Sequence, residues 1–253
     1  MTRAGPIIER KIKKNMNRSQ VHARRWWILG VLILALFGVT LDNLILNIAL
    51  PTLAVDLEAT AAELQWIVNA YVLVFAGMLL VAGALSDRFG RRRVLLIGLA
   101  LFGIGSALAP LVADATQLIV LRAFMGLGAA LTMPSTLSIL SDVFDEAERP
   151  KAIAAWGAVS GLGIVAGPLV GGYLLEHFHW TSGFLVNVPF VVIGIIATLA
   201  VVPESRAPGK VALDPAGALL SVVGLVALVW AITEIPSNGW TSRAVIGAFA
   251  IAA

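Results

Sequence analysis

The chain has 253 residues, of which 59% are hydrophobic and 13% carry a charged side chain. Soluble domains contain about 25% charged residues, so this composition excludes a water-soluble globule, a disordered chain and a nucleic-acid binder that depends on surface charge. The sequence contains no cysteine, which excludes disulfides, thiolate metal sites and cysteine nucleophiles.

Long stretches without charged residues predict membrane-spanning helices. Six of them contain between 19 and 27 residues: 64–86, 94–113, 123–141, 152–175, 177–203 and 215–233. Another stretch, at 28–50, is interrupted only by Asp42. A helix needs about 20 apolar residues to cross the hydrocarbon core, and these stretches are about twice as long as a barrel strand. We therefore predict an all-α polytopic bundle with seven complete spans and an eighth that begins after Arg243.

The basic residues indicate how the chain is oriented in a membrane. If the amino terminus is cytoplasmic, sixteen of the 18 Lys and Arg residues lie on the cytoplasmic side. They occur in residues 1–25, in the loop at 87–93 and in the loops at 142–151 and 204–214. Because positively charged loops stay on the cytoplasmic side, we predict a multi-pass protein of the cell (inner) membrane with its amino terminus in the cytoplasm.

A short pattern recurs at the ends of the second and fifth spans. A Gly, a Leu, an acidic residue and a Phe have the same spacing in GALSDRF at 83–89 and in GYLLEHF at 172–178. The second span ends inside and the fifth ends outside, so the two copies have opposite orientations in the membrane. Inverted repeats of three helices are typical of secondary transporters, and we predict such a repeat here.

Two ionisable residues lie inside predicted spans. Asp42 lies about 12 Å below the outer end of the first span, and Arg122 lies roughly 7 Å deep in the fourth. A charge inside a bilayer costs at least about 2.5 kcal/mol and by default indicates a transport pathway or a proton site. Arg122 keeps its proton, whereas Asp42 can titrate. Two interpretations follow: the residues take part in proton coupling within one shared aqueous cavity, or they only hold the first and fourth spans together.

Four further side chains are candidates to line the same cavity. Asn43 and Asn47 are one helical turn apart, although polar residues at this spacing also serve helix packing. Trp66 and Tyr71 lie near the start of the second span. Aromatic residues at span ends also form interfacial belts, and we expect Trp180 to belong to such a belt.

The loop between the second and third spans combines glycines, an acid and several arginines. Gly83 is expected to let neighbouring helices approach closely, and Gly90 is expected to permit a tight reversal. Asp87 lies beside four arginines, among them Arg88 and Arg91. The charges alone predict a topological anchor that keeps this loop on the cytoplasmic side.

Glycines recur every four residues in the fifth span, at Gly163, Gly167 and Gly171, and Gly172 follows. The spacing places the first three on one helix face, where a neighbouring helix can approach the backbone. Pro168 removes a backbone hydrogen bond and is expected to bend the helix. The glycines do not form a dinucleotide-binding loop, because no strand precedes them.

Five segments in order along the chain resemble known transporter motifs. They are LDNLILNIALP at 41–51, GALSDRFGRRR at 83–93, RAFMGLGAA at 122–130, GIVAGPLVGG at 163–172 and FLVNVP at 184–189. Together they resemble the fourteen-helix drug:proton antiporters of the major facilitator superfamily, although Met125 replaces the usual Gln of the third motif. The resemblance covers residues 26–250 and implies a major facilitator fold with inverted three-helix repeats.

The resemblance also implies roles for the matching residues. In the resembled family, the acid of the first helix and the Arg of the fourth are assigned to proton and substrate coupling, and they correspond here to Asp42 and Arg122. The loop between the second and third spans would act as a latch, in which Asp87 and Arg91 hold the cytoplasmic side shut. The fifth-span motif around Pro168 would be the pivot that controls leak through the cavity.

The composition and the resemblance together divide the chain into three parts. We predict a basic cytoplasmic tail at 1–25, a six-helix transporter bundle at 26–203, and a third part at 204–253 with a linker, the seventh span and the start of the eighth. Because a half-built span would leave polar backbone groups in hydrocarbon, we expect the eighth span to be truncated. The carboxy-terminal half of a larger transporter is then expected to be missing from this chain.

These observations predict proton-coupled efflux of drugs or other lipophilic, cationic small molecules by alternating access, with the lipid bilayer, protons and the substrate as partners. An importer, a narrow-specificity exporter and a non-transporting or regulatory membrane protein are the alternatives. We expect no enzyme activity, cofactor or metal, because no nucleotide-binding loop, catalytic triad or zinc pattern occurs. His177 and His179 lie near an acid at a helix end, where metal sites are uncommon. The short basic loops leave no room for nucleic acid.

Overall fold

The computed structural model describes residues 18–207 and 215–253. Within these ranges the chain forms α-helices and one short 3₁₀ helix, and no strand. The helices are α1 (Arg18–Asp56), α2 (Ala61–Phe89), α3 (Arg91–Leu108), a 3₁₀ turn (Ala109–Leu111), α4 (Ala115–Val143), α5 (Arg149–His177), α6 (Ser182–Leu185), α7 (Asn187–Val201), α8 (Pro215–Asn238) and α9 (Arg243–Ala252). The predicted all-α fold is confirmed. Residues 1–17 of the predicted tail and 208–214 of the predicted linker lie outside the described residues.

Seven helical segments in the described ranges are long and apolar enough to cross a membrane. They correspond to α1, α2, α3 with its 3₁₀ turn, α4, α5, α6 with α7, and α8, which are the seven predicted spans. The shorter helix α9 lies where the eighth was predicted to begin. The predicted division of the chain near residue 203 stays a prediction.

The predicted sixth span contains two helical segments, α6 and α7, which meet at Val186; this residue keeps helical dihedrals (φ −60°, ψ −25°), so the span continues through it. Pro189 is the third residue of α7 and has no N–H to donate to the carbonyl of Leu185, the last residue of α6. Proline fits the first turn of a helix, where its missing N–H is not needed. Asn187, which follows Val186, is the first residue of α7.

Local sequence signals explain where two of the spans begin. Thr60 precedes α2 and forms a capping box: its side chain accepts a hydrogen bond from the N–H of Glu63, whose carboxylate accepts one from the N–H of Thr60. Asp114 caps α4 by accepting a hydrogen bond of 2.8 Å from the N–H of Gln117. These caps supply partners for backbone N–H groups that the first helical turn leaves unpaired.

The helix contacts follow the predicted inverted repeat. The most extensive contact joins α2 to α4, and α1 makes its largest contact with α5. If the first three spans are matched in order with the next three, these two contacts are equivalent. The contacts of α3 with α4 and of α7 with α1 are equivalent in the same way. This arrangement supports the repeat that the two similar segments at the ends of α2 and α5 suggested.

One close approach positions α2 against α4 near the centre of the bundle. A Cβ atom on Gly126 would lie 2.5 Å from the carbonyl oxygen of Tyr71, so a side chain at this position would force the two helices apart. Gly126 is one helical turn from Arg122. The glycine therefore brings the Tyr71 segment of α2 against the part of α4 that carries the buried arginine.

Helix α8 packs beside α2 and is linked to it by a polar contact. The side-chain amide of Asn69 donates a hydrogen bond of 2.9 Å to the hydroxyl of Thr233. Gly77 on α2 faces Val222 on α8. Helix α8 also contacts α9, so the last two described helices form a pair against the outside of α2.

Candidate functional site

Asp42 and Arg122 form an ion pair in the interior of the bundle. One terminal nitrogen of the Arg122 guanidinium lies 2.5 Å from Oδ2 of Asp42. Arg122 is 0% exposed and Asp42 is 2% exposed. The structure thus brings together the two residues that sequence analysis placed at similar depth, and it does so between α1 and α4.

Arg122 has three further partners that do not depend on Asp42. Its Nε donates to the carbonyl oxygen of Ile67 at 3.3 Å, and a second terminal nitrogen donates to Oδ1 of Asn43 at 3.2 Å. The guanidinium carbon lies 4.2 Å from the centre of the Tyr71 ring. A buried charge is tolerated when its hydrogen bonds are satisfied and a counter-charge is present. The guanidinium is therefore held by α1 and α2 together.

Asn187 on α7 is the partner of Asp42 that sequence analysis missed as a site residue. Its Nδ2 donates a hydrogen bond of 2.8 Å to Oδ1 of Asp42 and lies 3.5 Å from the hydroxyl oxygen of Ser106 on α3. Asn187 and Ser106 are both fully buried. In the sequence, Asn187 belonged to the segment FLVNVP at 184–189, and nothing in that segment identified Asp42 as its partner.

The four cavity candidates divide into two groups. Asn43 and Tyr71 contact Arg122 as described above. Trp66 is half-buried and has no described contact with the ion pair. Asn47 is exposed, and its amide donates to the carbonyl oxygen of Asn43 on its own helix. Their participation in a substrate cavity stays a prediction.

Asp42 is enclosed by apolar side chains in this structure. A gap beside its carboxylate is lined by Ile45, Leu46, Ala49, Trp180, Gly183 and Phe184, and it has no room for a water molecule. The expected aqueous cavity is therefore closed here. The prediction that Trp180 lies in an interfacial belt is wrong, because Trp180 is 2% exposed and packs edge-on against Phe184. The segment that begins at Trp180 packs against α1, which places its ring inside the bundle.

The loop between α2 and α3 is tied to the end of α4 through Arg91. Its Nε donates to Asp87 at 3.0 Å, and a terminal nitrogen donates to the carbonyl oxygen of Ser138 at 3.2 Å. The same nitrogen lies 3.6 Å from a carboxylate oxygen of Asp142. Asp142 was not identified from the sequence, because it lies about 50 residues away on another helix. The residues predicted as a latch are thus adjacent in space and link three helix ends.

Glu204 forms a second link across the same loop. Its carboxylate accepts a hydrogen bond of 3.2 Å from the backbone N–H of Arg92 and lies 3.5 Å from Nε of Arg93. Gly90 has a φ of 114°, and a Cβ atom there would lie 2.6 Å from Glu204. The expected reversal at Gly90 is therefore present, and it needs glycine for its backbone conformation and for the space that Glu204 occupies.

The other two loop candidates have looser surroundings. A Cβ atom on Gly83 would lie 4.0 Å from the nearest described atom, in Pro134. The expectation that Gly83 allows an unusually close approach is wrong for the described residues, since this distance leaves room for a side chain. Arg88 is exposed, with its guanidinium 5.5 Å from the centre of the Phe89 ring.

Most of the glycines of the fifth-span motif face α1 directly. A Cβ atom on Gly163 would lie 2.8 Å from Thr40, and one on Gly167 would lie 2.6 Å from Cβ of Leu44. A Cβ atom on Gly171 would lie 3.2 Å from Ile48 and 3.3 Å from Ile45, which is also tight, whereas nothing described lies within 4 Å of a Cβ on Gly172. Helix α5 continues through Pro168 from Arg149 to His177.

A further ionic contact joins the start of α1 to the loop between α4 and α5. Two nitrogens of the Arg25 guanidinium contact the two carboxylate oxygens of Glu148, at 2.6 and 3.0 Å. The hydrogen bond from Arg25 holds the pKa of Glu148 below its usual value. Nearby, the ring of His22 lies 3.6 Å from Asp145. Sequence analysis did not identify these contacts, which join residues more than 100 positions apart.

Two curated relatives cover most of this chain. The multidrug efflux pump LfrA of Mycolicibacterium smegmatis is 41% identical over 95% of this chain, which corresponds to 48% of the relative. The puromycin resistance protein pur8 of Streptomyces alboniger is 40% identical over 88% of this chain and 44% of the relative. The chain therefore spans about half the length of the curated relatives that it matches. The relatives support a transporter rather than an enzyme.

The fold is shared with a solved transporter structure. The crystal structure of the POT family transporter PepTSo matches 91% of this chain and 51% of that chain, with a TM-score of 0.67 at 17% sequence identity. At this identity the match shows the fold alone. Residues 32–253 match the sequence profile of the Major Facilitator Superfamily. Sequence, helix arrangement and relatives agree, and the chain belongs to the major facilitator superfamily.

Proposed function

We propose that the chain takes part in proton-coupled efflux of drugs or other lipophilic, cationic small molecules by alternating access. The observation that carries this proposal is the fully buried pair of Asp42 and Arg122 among apolar helices. Ionisable groups inside membrane spans are rare and commonly mark proton or substrate pathways. The name of the relative LfrA, a multidrug efflux pump, supports the direction and breadth of transport.

Asp42 is the group that would exchange a proton for the substrate. Arg122 only donates hydrogen bonds and keeps its charge, so it stabilises the ionised form of Asp42. A proton that enters from the outer side would neutralise Asp42 and weaken its attraction to Arg122. A cationic substrate that approaches the carboxylate would favour release of that proton. Proton and substrate therefore compete for one negative charge, which couples their movements in opposite directions.

The contacts around Arg91 would hold the cytoplasmic ends of the helices together. Asp87, Asp142 and the carbonyl of Ser138 converge on this one guanidinium. These groups are half-buried to exposed, so they can separate and re-form at modest cost. The glycine face of α5 against α1 would supply the pivot, because a surface without side chains can slide with little steric resistance. We also propose that this side faces the cytoplasm of an inner membrane.

We further propose that transport requires helices in addition to those described. Alternating access moves one helical bundle against another around a central site. The curated relatives are about twice as long as this chain, and that length would accommodate a second bundle. The partners of the chain are then protons, a small-molecule substrate, lipid and the second bundle.

The test is accumulation of a fluorescent lipophilic cation in everted membrane vesicles of cells that express the protein, with and without an imposed pH gradient; the cytoplasmic face of these vesicles is outside, so export appears as accumulation. We expect Asp42→Asn to reduce gradient-driven transport at least about tenfold, equivalent to about 1.4 kcal/mol of barrier. Asp56→Asn is the matched control, since Asp56 ends the same helix and is exposed. Undiminished gradient-driven transport in Asp42→Asn would show that the coupling site is wrong.

A narrow-specificity exporter is the second candidate, because the relative pur8 is named for resistance to a single drug. Competition separates the two candidates in the same vesicles. A multidrug exporter is inhibited by several structurally unrelated lipophilic cations, whereas a narrow one responds to a single class. Loss of preloaded cation from the everted vesicles instead of accumulation would indicate an importer, and the absence of any gradient-dependent flux would indicate a non-transporting membrane protein.

A further inference from the structure

We propose that Asn187 is a positioning residue that hydrogen-bonds Asp42 in both of its protonation states, donating through Nδ2 to the carboxylate and accepting through Oδ1 from the protonated acid. The inference rests on the proposed function only in that Asp42 takes up and releases a proton. It adds a third member to the site and assigns it a task that Arg122 cannot perform.

The structure shows the hydrogen bond that Asn187 donates to the carboxylate of Asp42. Nδ2 of Asn187 lies 2.8 Å from Oδ1 of Asp42, whose other oxygen contacts Arg122. The amide oxygen of Asn187 is buried and has no hydrogen-bond partner. A buried acceptor without a partner destabilises the state that contains it. An acceptor left open beside a titratable acid indicates that its partner is supplied in another state of the site.

The chemistry of the two side chains explains why a second state needs the amide. A protonated carboxyl group gains an O–H donor, and a guanidinium has no acceptor for it. An amide carries a donor and an acceptor on the same planar group. Rotation of the Asn187 amide by about 180° about its last side-chain bond exchanges the two, which places Oδ1 where Nδ2 now lies. The proton on Asp42 would then be donated to Oδ1.

The hydroxyl of Ser106 can pair with the Asn187 amide in either orientation. The hydroxyl of Ser106 lies 3.5 Å from Nδ2, and a hydroxyl accepts from an N–H or donates to a carbonyl oxygen equally well. Arg122 also keeps its place when Asp42 is neutral, because the carbonyl of Ile67 and the amide oxygen of Asn43 still accept its hydrogen bonds. The site can therefore change protonation state without a large rearrangement.

Few of the described ionisable groups face Asp42. Among the described residues, the ionisable groups that interact with Asp42 are Arg122 on α4 and Tyr71 on α2. The ionisable residues of α3 and α5 lie toward the helix ends, and α6 and α7 contain none. The adjoining gap has no room for a water molecule.

The test is an infrared titration of the purified protein in lipid nanodiscs, with the carboxylic acid band of Asp42 identified by its loss in Asp42→Asn. In Asn187→Leu we expect the midpoint of that band to move to higher pH by about one unit, because a hydrogen bond to a charged group is worth roughly twice a neutral one. We also expect the acid band to shift to higher frequency, since its O–H loses an acceptor.

Two variants on α7 make the test specific. Thr198→Val is the matched control, because Thr198 is also buried on α7 with an unpartnered hydroxyl but lies outside the site. It is expected to leave midpoint and frequency unchanged. Asn187→Gln retains an amide and is expected to move the midpoint back toward that of the unsubstituted protein. If Asn187 had a purely structural role, the midpoint of the Asp42 titration would be the same in Asn187→Leu, Asn187→Gln and Thr198→Val.

A measurement on the unsubstituted protein covers the case in which Asn187→Leu fails to fold. With ¹³C-labelled asparagine, protonation of Asp42 is expected to lower the frequency of one side-chain amide carbonyl, and Asn187→Gln should remove that change. An Asp42 band whose midpoint is the same in Asn187→Leu and Thr198→Val would overturn the inference while leaving the proposed function intact. The absence of any Asp42 titration would overturn both.

Discussion

Among the described residues, the pairs Asp42–Arg122 and Asp87–Arg91 have similar chemistry in opposite environments. Arg122 and Asp42 are 0% and 1% exposed in their side chains, whereas Arg91 and Asp87 are 14% and 33% exposed. Water therefore screens the second pair and not the first. The buried pair has partners on four helices, and the half-exposed pair lies at the end of three. The same ion pair can thus hold a charge inside a membrane or act as a weak, reversible contact.

The difference predicts what each pair contributes to stability and to movement. Removing one partner from a buried pair leaves an uncompensated charge and costs about 3–5 kcal/mol, whereas an exposed pair is worth about 0–1 kcal/mol. A latch must open in each transport cycle and suits the weak pair. A coupling site must hold its charge until a proton arrives and suits the buried one.

Breaking the buried pair is expected to give the largest loss of stability. In Arg122→Leu the ionised Asp42 loses its counter-charge, and we expect the free energy of unfolding in detergent micelles to fall by about 3–5 kcal/mol. The double variant Asp42→Asn with Arg122→Leu is expected to recover most of this loss, because no buried charge remains. If the single and double variants are equally unstable, the loss comes from packing and not from the uncompensated carboxylate.

The close packing of α5 on α1 allows a test with a smaller expected effect. A Cβ atom on Gly167 would meet Leu44 at 2.6 Å, whereas nothing described lies within 4 Å of one on Gly172. Overpacking of this kind costs about 1–3 kcal/mol. We therefore expect Gly167→Ala to lower the free energy of unfolding by that amount and to slow efflux.

Gly172→Ala is the matched control for the packing test. It introduces the same methyl group five residues along the same helix and is expected to change the free energy of unfolding by less than about 0.5 kcal/mol. Equal effects of the two substitutions would contradict the close contact between α5 and α1. Slower efflux in Gly167→Ala with unchanged stability would locate the effect in the movement of α5 instead.

The half-exposed pair is expected to matter more for transport than for stability. Asp87→Asn removes one of the acids that contact Arg91, and we expect the free energy of unfolding to change by less than about 1 kcal/mol. We expect gradient-driven efflux to fall about fivefold, equivalent to about 1 kcal/mol of coupling between the open and closed states. The measurements are chemical unfolding in micelles and vesicle efflux.

Asp145→Asn is the control for the latch, since Asp145 is an exposed acid in the next loop on the same predicted side of the membrane. It lies outside the contacts of Arg91 and is expected to leave efflux unchanged. A loss of efflux in both variants would indicate a general effect of loop charge. A large loss of stability in Asp87→Asn alone would contradict the comparison between the two pairs.

The helices were predictable from the sequence because each depends on local information. Charge-free stretches of membrane length identified the spans, and helix α9 begins at Arg243, where the eighth span was expected to start. The turn at Gly90 followed from its position between two spans. The pairing of Asp42 with Arg122 could be expected because charges in hydrocarbon need partners and the two residues lie at similar depth.

The remaining site residues depend on contacts that a single sequence does not encode locally. The contact of Asn187 with Asp42 was not predictable, because an amide among apolar residues does not reveal its partner. Trp180 lies near a predicted span end, as belt residues do, but it packs inside the bundle against Phe184. Asp142 and Glu204 contact the arginine loop from distant positions, and nothing in their spacing identifies that loop as their partner.

The smallest expected effect concerns the ion pair between Glu148 and Arg25. Like the two Asp–Arg pairs, it joins a carboxylate to a guanidinium, but it lies at the surface. The hydrogen bond from Arg25 lowers the pKa of Glu148 in the folded chain. A lowered pKa contributes stability at pH values above the unfolded value of about 4.3, and the contribution is lost as the pH falls through the lower folded value. We therefore expect Glu148→Gln to be less stable than the unsubstituted protein at pH 7 and equally stable at the acid end of the range. Glu146→Gln is the control, since Glu146 is an exposed acid in the same loop, and it should show no such pH-dependent difference. If Glu148→Gln remains less stable than the unsubstituted protein at acid pH, Glu148 acts through packing and not through its charge.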